Sequence, residues 1–145
     1  MRAADNLNRE RQLRIAAEAF SAAALFGSAV SVRDRARGEP LGIRLPLSVP
    51  VALLLGWGAG LAAPWPMPVA ALIAARRYRI SGRSRAGLVC AVLGGACIAG
   101  TLVEPVTRRP STWTRAIGVA ILANIATSVG MIAAGLRSVH HGPSQ

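Results

Sequence analysis

Three long runs without a charged side chain constrain this sequence more than any other feature. Residues 45–75, 86–103 and 116–136 contain no Asp, Glu, Arg, Lys or His. In water, runs of this length would leave large apolar surfaces exposed. They are long enough to cross a bilayer, because a helix needs about 20 apolar residues for that purpose. The sequence therefore predicts an all-α membrane protein.

Composition supports this class and excludes others. The chain is 52% hydrophobic but only 4% aromatic, and its 17 basic residues, all arginine, stand against 6 acidic residues. These values exclude a disordered chain, a disulfide scaffold and an ordinary water-soluble enzyme. The arginines are scattered over the segments between the apolar runs and lack interleaved aromatic side chains. We therefore expect a bilayer with anionic headgroups as the partner and no nucleic acid.

The apolar runs divide into four predicted spans, which make up a four-helix transmembrane bundle. The chain is then one membrane domain over residues 1–145, with spans at about 12–32, 45–63, 86–104 and 114–136 and a polar tail at 137–145. The first span has the basic start and small residues of a signal peptide. Because Glu18 interrupts it and the charged residues 33–35 follow at once, we expect it to be retained as a helix.

The run over residues 45–75 is too long for one crossing and too short for two. As one helix it would be about 46 Å long, and a helix does not pass through prolines spaced like Pro64, Pro66 and Pro68. We predict that the second span ends at Ala63 and that a short interfacial helix follows over 64–80. Its three arginines would contact lipid headgroups: Arg76, Arg77 and Arg79. The alternative is two half-helices meeting at Trp65, which gives five passes or a re-entrant loop.

The arginines on the two sides of such a bundle are unequal in number. With four passes, ten arginines lie in the N-terminal segment, residues 76–85 and the tail, and seven lie in the other two loops. An excess of arginine marks the cytoplasmic side. The sequence therefore predicts a multi-pass protein of the bacterial inner membrane with both termini in the cytoplasm.

Small residues recur four positions apart in every span, and helices in lipid associate through such faces. The predicted helix-packing residues are Gly56 and Gly60 in the second span, Gly87, Ala91, Gly95 and Ala99 in the third, and Gly130 in the fourth. We interpret them as contacts within the bundle. The alternative is that the stripe of the third span forms a homo-oligomer or binds a membrane-protein partner.

Polar residues inside the spans are the candidate ligand-binding residues: Glu18, Asn124, Thr127 and Ser128. A carboxylate at membrane depth is costly, so we expect Glu18 to pair with Arg14, one helical turn away. The three polar residues of the fourth span share a face, and Asn124 must point into the bundle, since lipid would leave its amide unpaired. An interhelical hydrogen bond is the expected role. The alternative is a polar wall for a small molecule, with Glu18 and Asn124 converging on it.

No motif in the chain indicates catalysis or metal binding. Cys90 and Cys97 do not have the CxxC spacing, and there is no HExxH, GxSxG or P-loop pattern. We therefore predict no catalytic centre, no cofactor and no metal site. At the end of the third span, Glu104 is predicted to form an interfacial ion pair with Arg108 or Arg109.

The run Gly100-Thr-Leu-Val-Glu-Pro-Val-Thr107 follows an Ala/Gly-rich span in a chain whose basic residues are all arginine. These features resemble small polytopic membrane proteins of high-GC actinobacteria. The resemblance implies a cell-membrane protein and brings no known activity with it. From the residues we predict a structural or accessory subunit without its own catalytic centre. The alternative is a carrier or membrane-embedded enzyme for a lipophilic small molecule, using Glu18 and Asn124.

Overall fold

The computed structural model describes residues 2–36, 39, 46–55, 61–81 and 84–139, with the backbone alone for residues 2, 3, 79–81 and 84. This part of the chain is helical and contains no strand. Its α-helices are α1 (Arg2–Arg33), α2 (Val49–Leu54), α3 (Pro66–Ser81), α4 (Ser84–Val103) and α5 (Arg115–Val139). In the described residues, three helices are long and apolar enough to cross a membrane: α1, α4 and α5. The prediction of an all-α fold is confirmed for the described residues, and three of the helices are candidate membrane spans.

The three long helices contain the first, third and fourth predicted spans. At 32 residues, α1 is about 48 Å long and exceeds the roughly 30 Å of a hydrocarbon core. Its charged first turns therefore extend beyond the apolar part, which begins at Ile15. The helix α4 ends at Val103, as expected before Glu104-Pro105. The residue before a proline is driven out of the helical conformation.

The prediction of one continuous helix over 45–63 is wrong. In the described residues of that range, α2 has only six residues, and the backbone at 61–63 is not helical. The amide of Trp65 donates to the carbonyl oxygen of Leu53 at 3.2 Å, so the chain has come back beside α2 before α3 begins. We call residues 46–55 and 61–65 the fold-back segment. Because Pro64 and Pro66 cannot donate backbone hydrogen bonds, one helix cannot run from α2 through these residues into α3.

A helix does follow at the prolines, as predicted, and it lies lengthwise against α1. The start of α3 lies at Ser28, because the Trp65 indole donates to that hydroxyl, and Arg76 lines the same groove as Arg14. Thus α3 runs antiparallel along α1 and does not lie across its end. The small face formed by Ala71, Ala74 and Ala75 permits this close packing.

The long helices and α3 pack side by side. Both α1 and α4 contact α3 on one side and α5 on the other. The last turns of α5 meet the first turns of α4, since a Cβ added at Gly87 would stand 2.8 Å from the Ser138 Cβ. The start of α1, the end of α3, the start of α4 and the end of α5 consequently share one end of the molecule. We call it the N-terminal end and the other the loop end.

Candidate functional site

Asn124 is the central polar residue of the helix packing. It lies near the middle of α5, is 1% exposed, and its Nδ2 donates to the carbonyl oxygen of Leu61 at 3.1 Å. The interior position agrees with the prediction, but the partner is the backbone of the fold-back segment and not another helix. Gly27 of α1 makes room for this backbone, because a Cβ there would collide with the same carbonyl oxygen.

Thr127 and Ser128 lie in different surroundings. The Thr127 hydroxyl donates to the Ala123 carbonyl of its own helix at 2.8 Å and is half-buried. Ser128 is fully buried, and its hydroxyl lies close to the Cys97 thiol of α4. Within the described residues, neither the Ser128 hydroxyl nor Oδ1 of Asn124 has a hydrogen-bond partner. One face of α5 therefore offers two buried acceptors, one helical turn apart.

Glu18 lies on the outside of α1. Its side chain is 59% exposed, and Oε1 is 3.8 Å from Nε of Arg14, the partner that the spacing predicts. The structure does not bring Glu18 together with Asn124. Asn124 contacts Leu61 at the level of Gly27, which is nine residues, or about 13 Å, farther along α1. The predicted convergence of the two side chains is therefore absent.

The partner predicted for Glu104 from the sequence is wrong. It is 7% exposed, and its Oε2 accepts a hydrogen bond from the backbone amide of Glu39 at 3.0 Å. In the described residues it forms no ion pair with Arg108 or Arg109, and Arg108 donates to the carbonyl oxygen of Leu102. The expected interfacial ion pair is replaced by a contact that holds the backbone of Glu39 at the end of α4.

Burial changes the acidity of Glu104. Removal from water raises the pKa of its carboxyl above the ordinary 4.5, and the charge of Glu39 acts in the same direction. The hydrogen bond from the Glu39 amide opposes this rise because it stabilises the carboxylate. The only signal in the sequence was the lone carboxylate before a proline, which marks a helix end and does not indicate burial.

The contact between Trp65 and Ser28 was also not foreseen. The Ser28 hydroxyl donates to the Ala24 carbonyl at 2.7 Å and accepts from Nε1 of Trp65 at 3.0 Å. The indole N–H usually finds such an acceptor where it is shielded from water, and here the acceptor Ser28 is buried. The sequence offered no pairing signal, because the two residues are 37 positions apart. This bond fixes the level at which α3 begins along α1.

The predicted helix-packing residues fall into three groups. Gly87 and Ala91 pack against Gly135 of α5, whereas Gly95 and Gly130 face open space and Ala99 is exposed. Gly56 and Gly60 lie outside the described residues. Of the predicted headgroup arginines, Arg76 and Arg77 are exposed, and the side chain of Arg79 lies outside the described part. The stripe of α4 is thus used within the chain at one end only.

Comparison with known proteins adds no assignment. No family model, curated protein or solved structure matches this chain. In the described residues, no three His, Cys, Asp or Glu side chains stand close enough to hold a metal ion together. Any functional conclusion consequently depends on the geometry of the helices and of the polar residues between them.

Proposed function

We propose that this chain is a multi-pass protein of the bacterial cytoplasmic membrane and serves as a structural or accessory subunit without a catalytic centre of its own. The observation that carries the proposal is the hydrogen bond that Asn124 makes within the protein. Its amide holds the carbonyl of Leu61 inside the helix packing, and Glu18 points outward to Arg14. The Asn124 amide thus stabilises the fold, and Glu18 lies too far along α1 to act on a molecule bound at Asn124.

The partner-binding surface in this proposal is the outer face of α4 and α5. Gly95 of α4 and Gly130 of α5 each have open space where a Cβ would stand, and the exposed Val92 and Val129 lie close to them along their own helices. Close approach at small residues drives helix association in lipid. The face is therefore suited to a helix of another membrane protein or of a second copy.

A photoreactive side chain placed in native membranes tests the accessory role. At position 95 or 130 it should give a cross-linked adduct with one protein of defined mass. Position 55 is the matched control, because Leu55 is 70% exposed but lies on the fold-back segment. Adducts with lipid alone at 95 and 130, as at position 55, would contradict the proposal.

The proposed topology places both termini and residues 82–83 in the cytoplasm, with α3 as the second crossing. That side carries ten arginines and the opposite side seven, and this excess supports the orientation. Single cysteines at positions 3, 81 and 140, in a background without Cys90 and Cys97, should resist an impermeant thiol reagent in intact cells. Cysteines at 38 and 110 should react. Labelling at both 81 and 38 would contradict the topology.

The alternative function is a carrier or membrane-embedded enzyme for a lipophilic small molecule. The unpaired acceptors of Asn124 and Ser128 favour a polar wall for such a molecule, but the position of Glu18 does not. A thermal-shift screen with hydrophobic compounds separates the two functions. A compound that raises the melting temperature of the unsubstituted protein but not that of Asn124→Leu supports the carrier. A loss of the protein's function in Glu18→Gln at an unchanged melting temperature supports the enzyme. The accessory role predicts neither result.

A further inference from the structure

A groove of about 270 Å³ lies between α1 and α3 on the surface of the molecule. Its lining residues are Glu10, Arg14 and Glu18 from α1 and Leu72, Ala75 and Arg76 from α3. The three α1 residues are four positions apart and form one stripe about 12 Å long. A guanidinium therefore stands between two carboxylates on one wall, and the other wall carries an apolar surface and a second guanidinium.

The groove lies at the boundary between the charged and apolar parts of α1. Residues before Ile15 are rich in charge, and after it Glu18 is the only charged residue up to Val32. Leu72 is 40% exposed and adds apolar surface beside this boundary. In a bilayer this is the level at which lipid headgroups meet the acyl chains.

The charges of the groove suit a zwitterion. The formal charges of its two arginines and two glutamates sum to zero. An anion in the groove would therefore also lie beside the carboxylates, and a cation would also lie beside the guanidinium groups. The Arg14–Glu18 contact is long, at 3.8 Å, and both side chains are more than half exposed, so each keeps unused donors or acceptors. In the described part of the chain, no carboxylate forms a salt bridge with Arg76.

We propose that this groove binds the headgroup of an aminophospholipid such as phosphatidylethanolamine. The phosphate oxygens accept hydrogen bonds from Arg14 and Arg76, and the primary ammonium donates to Glu18. One acyl chain follows Leu72 into the apolar region. A primary ammonium carries three donors, whereas the trimethylated headgroup of phosphatidylcholine carries none. The inference does not depend on the accessory role, because it concerns a different face of the molecule.

Native mass spectrometry of protein extracted from vesicles with equal parts of phosphatidylethanolamine, phosphatidylcholine and phosphatidylglycerol tests the proposal. Phosphatidylethanolamine should be retained about fivefold over each of the others, the ratio expected from one additional charged hydrogen bond. Glu18→Gln and Arg76→Gln should each remove this preference. The matched controls are Asp5→Asn and Arg11→Gln, which change the same charges at exposed positions outside the groove and should keep it.

Three results would overturn the proposal. Equal retention of phosphatidylcholine would show that the ammonium donates no hydrogen bond. Equal or stronger retention of phosphatidylglycerol would show attraction by net positive charge alone. An equal effect of Arg76→Gln and Arg11→Gln would show that the groove is not the site. The melting temperatures of all four variants in detergent should match that of the unsubstituted protein, because every substituted side chain is exposed.

Discussion

Asn124 and Leu61 join the middle of α5 to a backbone that is not helical. The amide of Asn124 donates to the Leu61 carbonyl at 3.1 Å across 63 positions of sequence. A backbone carbonyl without a partner at membrane depth is costly, so irregular backbone there has to be held by protein groups or water. Asn124 supplies this hydrogen bond, and Gly27 supplies the space. The two residues together explain how the fold-back segment is kept between the long helices.

Substitution of Asn124 should destabilise the protein through this bond. Asn124→Leu leaves the buried Leu61 carbonyl without its donor, and we expect a loss of about 1–2 kcal/mol in the free energy of unfolding. Thr127→Val is the control, because its hydroxyl bonds only within α5 and is half-buried. Unfolding in mixed micelles measures both. An equal loss in the two variants would show that the bond to Leu61 contributes nothing.

Two neighbouring glycines of α4 should respond in opposite ways to the same substitution. A Cβ at Gly94 would stand 2.6 Å from the Ser128 carbonyl oxygen, whereas Gly95 faces open space. Gly94→Ala should therefore force α4 and α5 apart and cost about 1–3 kcal/mol. Gly95→Ala should instead raise the free energy of unfolding by about 0.5–1 kcal/mol, because the new Cβ meets no neighbour and alanine favours a helix over glycine. Similar losses at both positions would contradict the packing of α4 against α5.

Stability should fall as pH rises through the titration of Glu104. Its pKa in the folded protein lies above the ordinary 4.5, so folding favours the protonated form. The contribution of this group is full below pH 4.5 and is lost as pH rises through the raised pKa. Glu104→Gln should stay folded and remove this part of the pH dependence. Exposed Glu18→Gln serves as the control. Melting curves between pH 4 and 8 check the prediction, and parallel curves for the unsubstituted protein and Glu104→Gln would refute it.

The sequence predicts the long helices well because their signal is local. The charge-free runs 86–103 and 116–136 and the Glu104-Pro105 stop depend only on neighbouring residues, and α4 and α5 follow them. The apolar run from Ile15 to Val32, interrupted only by Glu18, likewise lies within α1. The pairing of Arg14 with Glu18 is equally local, since one helical turn fixes it. The interior position of Asn124 follows from the cost of an unpaired amide in lipid.

The rest depends on contacts between distant residues. The prolines show that residues 45–75 must break, but the hydrogen bonds from Trp65 to Ser28 and Leu53 decide where the chain goes afterwards. Similarly, Arg108 and Arg109 near Glu104 suggest an ion pair, and only the approach of the loop at Glu39 makes the carboxylate an acceptor for a backbone amide. Neither outcome leaves a periodic pattern in the sequence.

The helix α3 runs lengthwise along α1 from the loop end, so that α3 and not the fold-back segment reaches the N-terminal end. Spin labels at Pro66, Arg33 and Arg11 test it, because Pro66 follows Trp65 at the level of Ser28. Along α1, Ser28 is about 8 Å from Arg33 and about 26 Å from Arg11. Pulsed electron paramagnetic resonance in lipid nanodiscs should therefore give a 66–11 distance longer than the 66–33 distance by at least ~10 Å. A 66–11 distance shorter than the 66–33 distance would place the start of α3 at the N-terminal end and contradict the account.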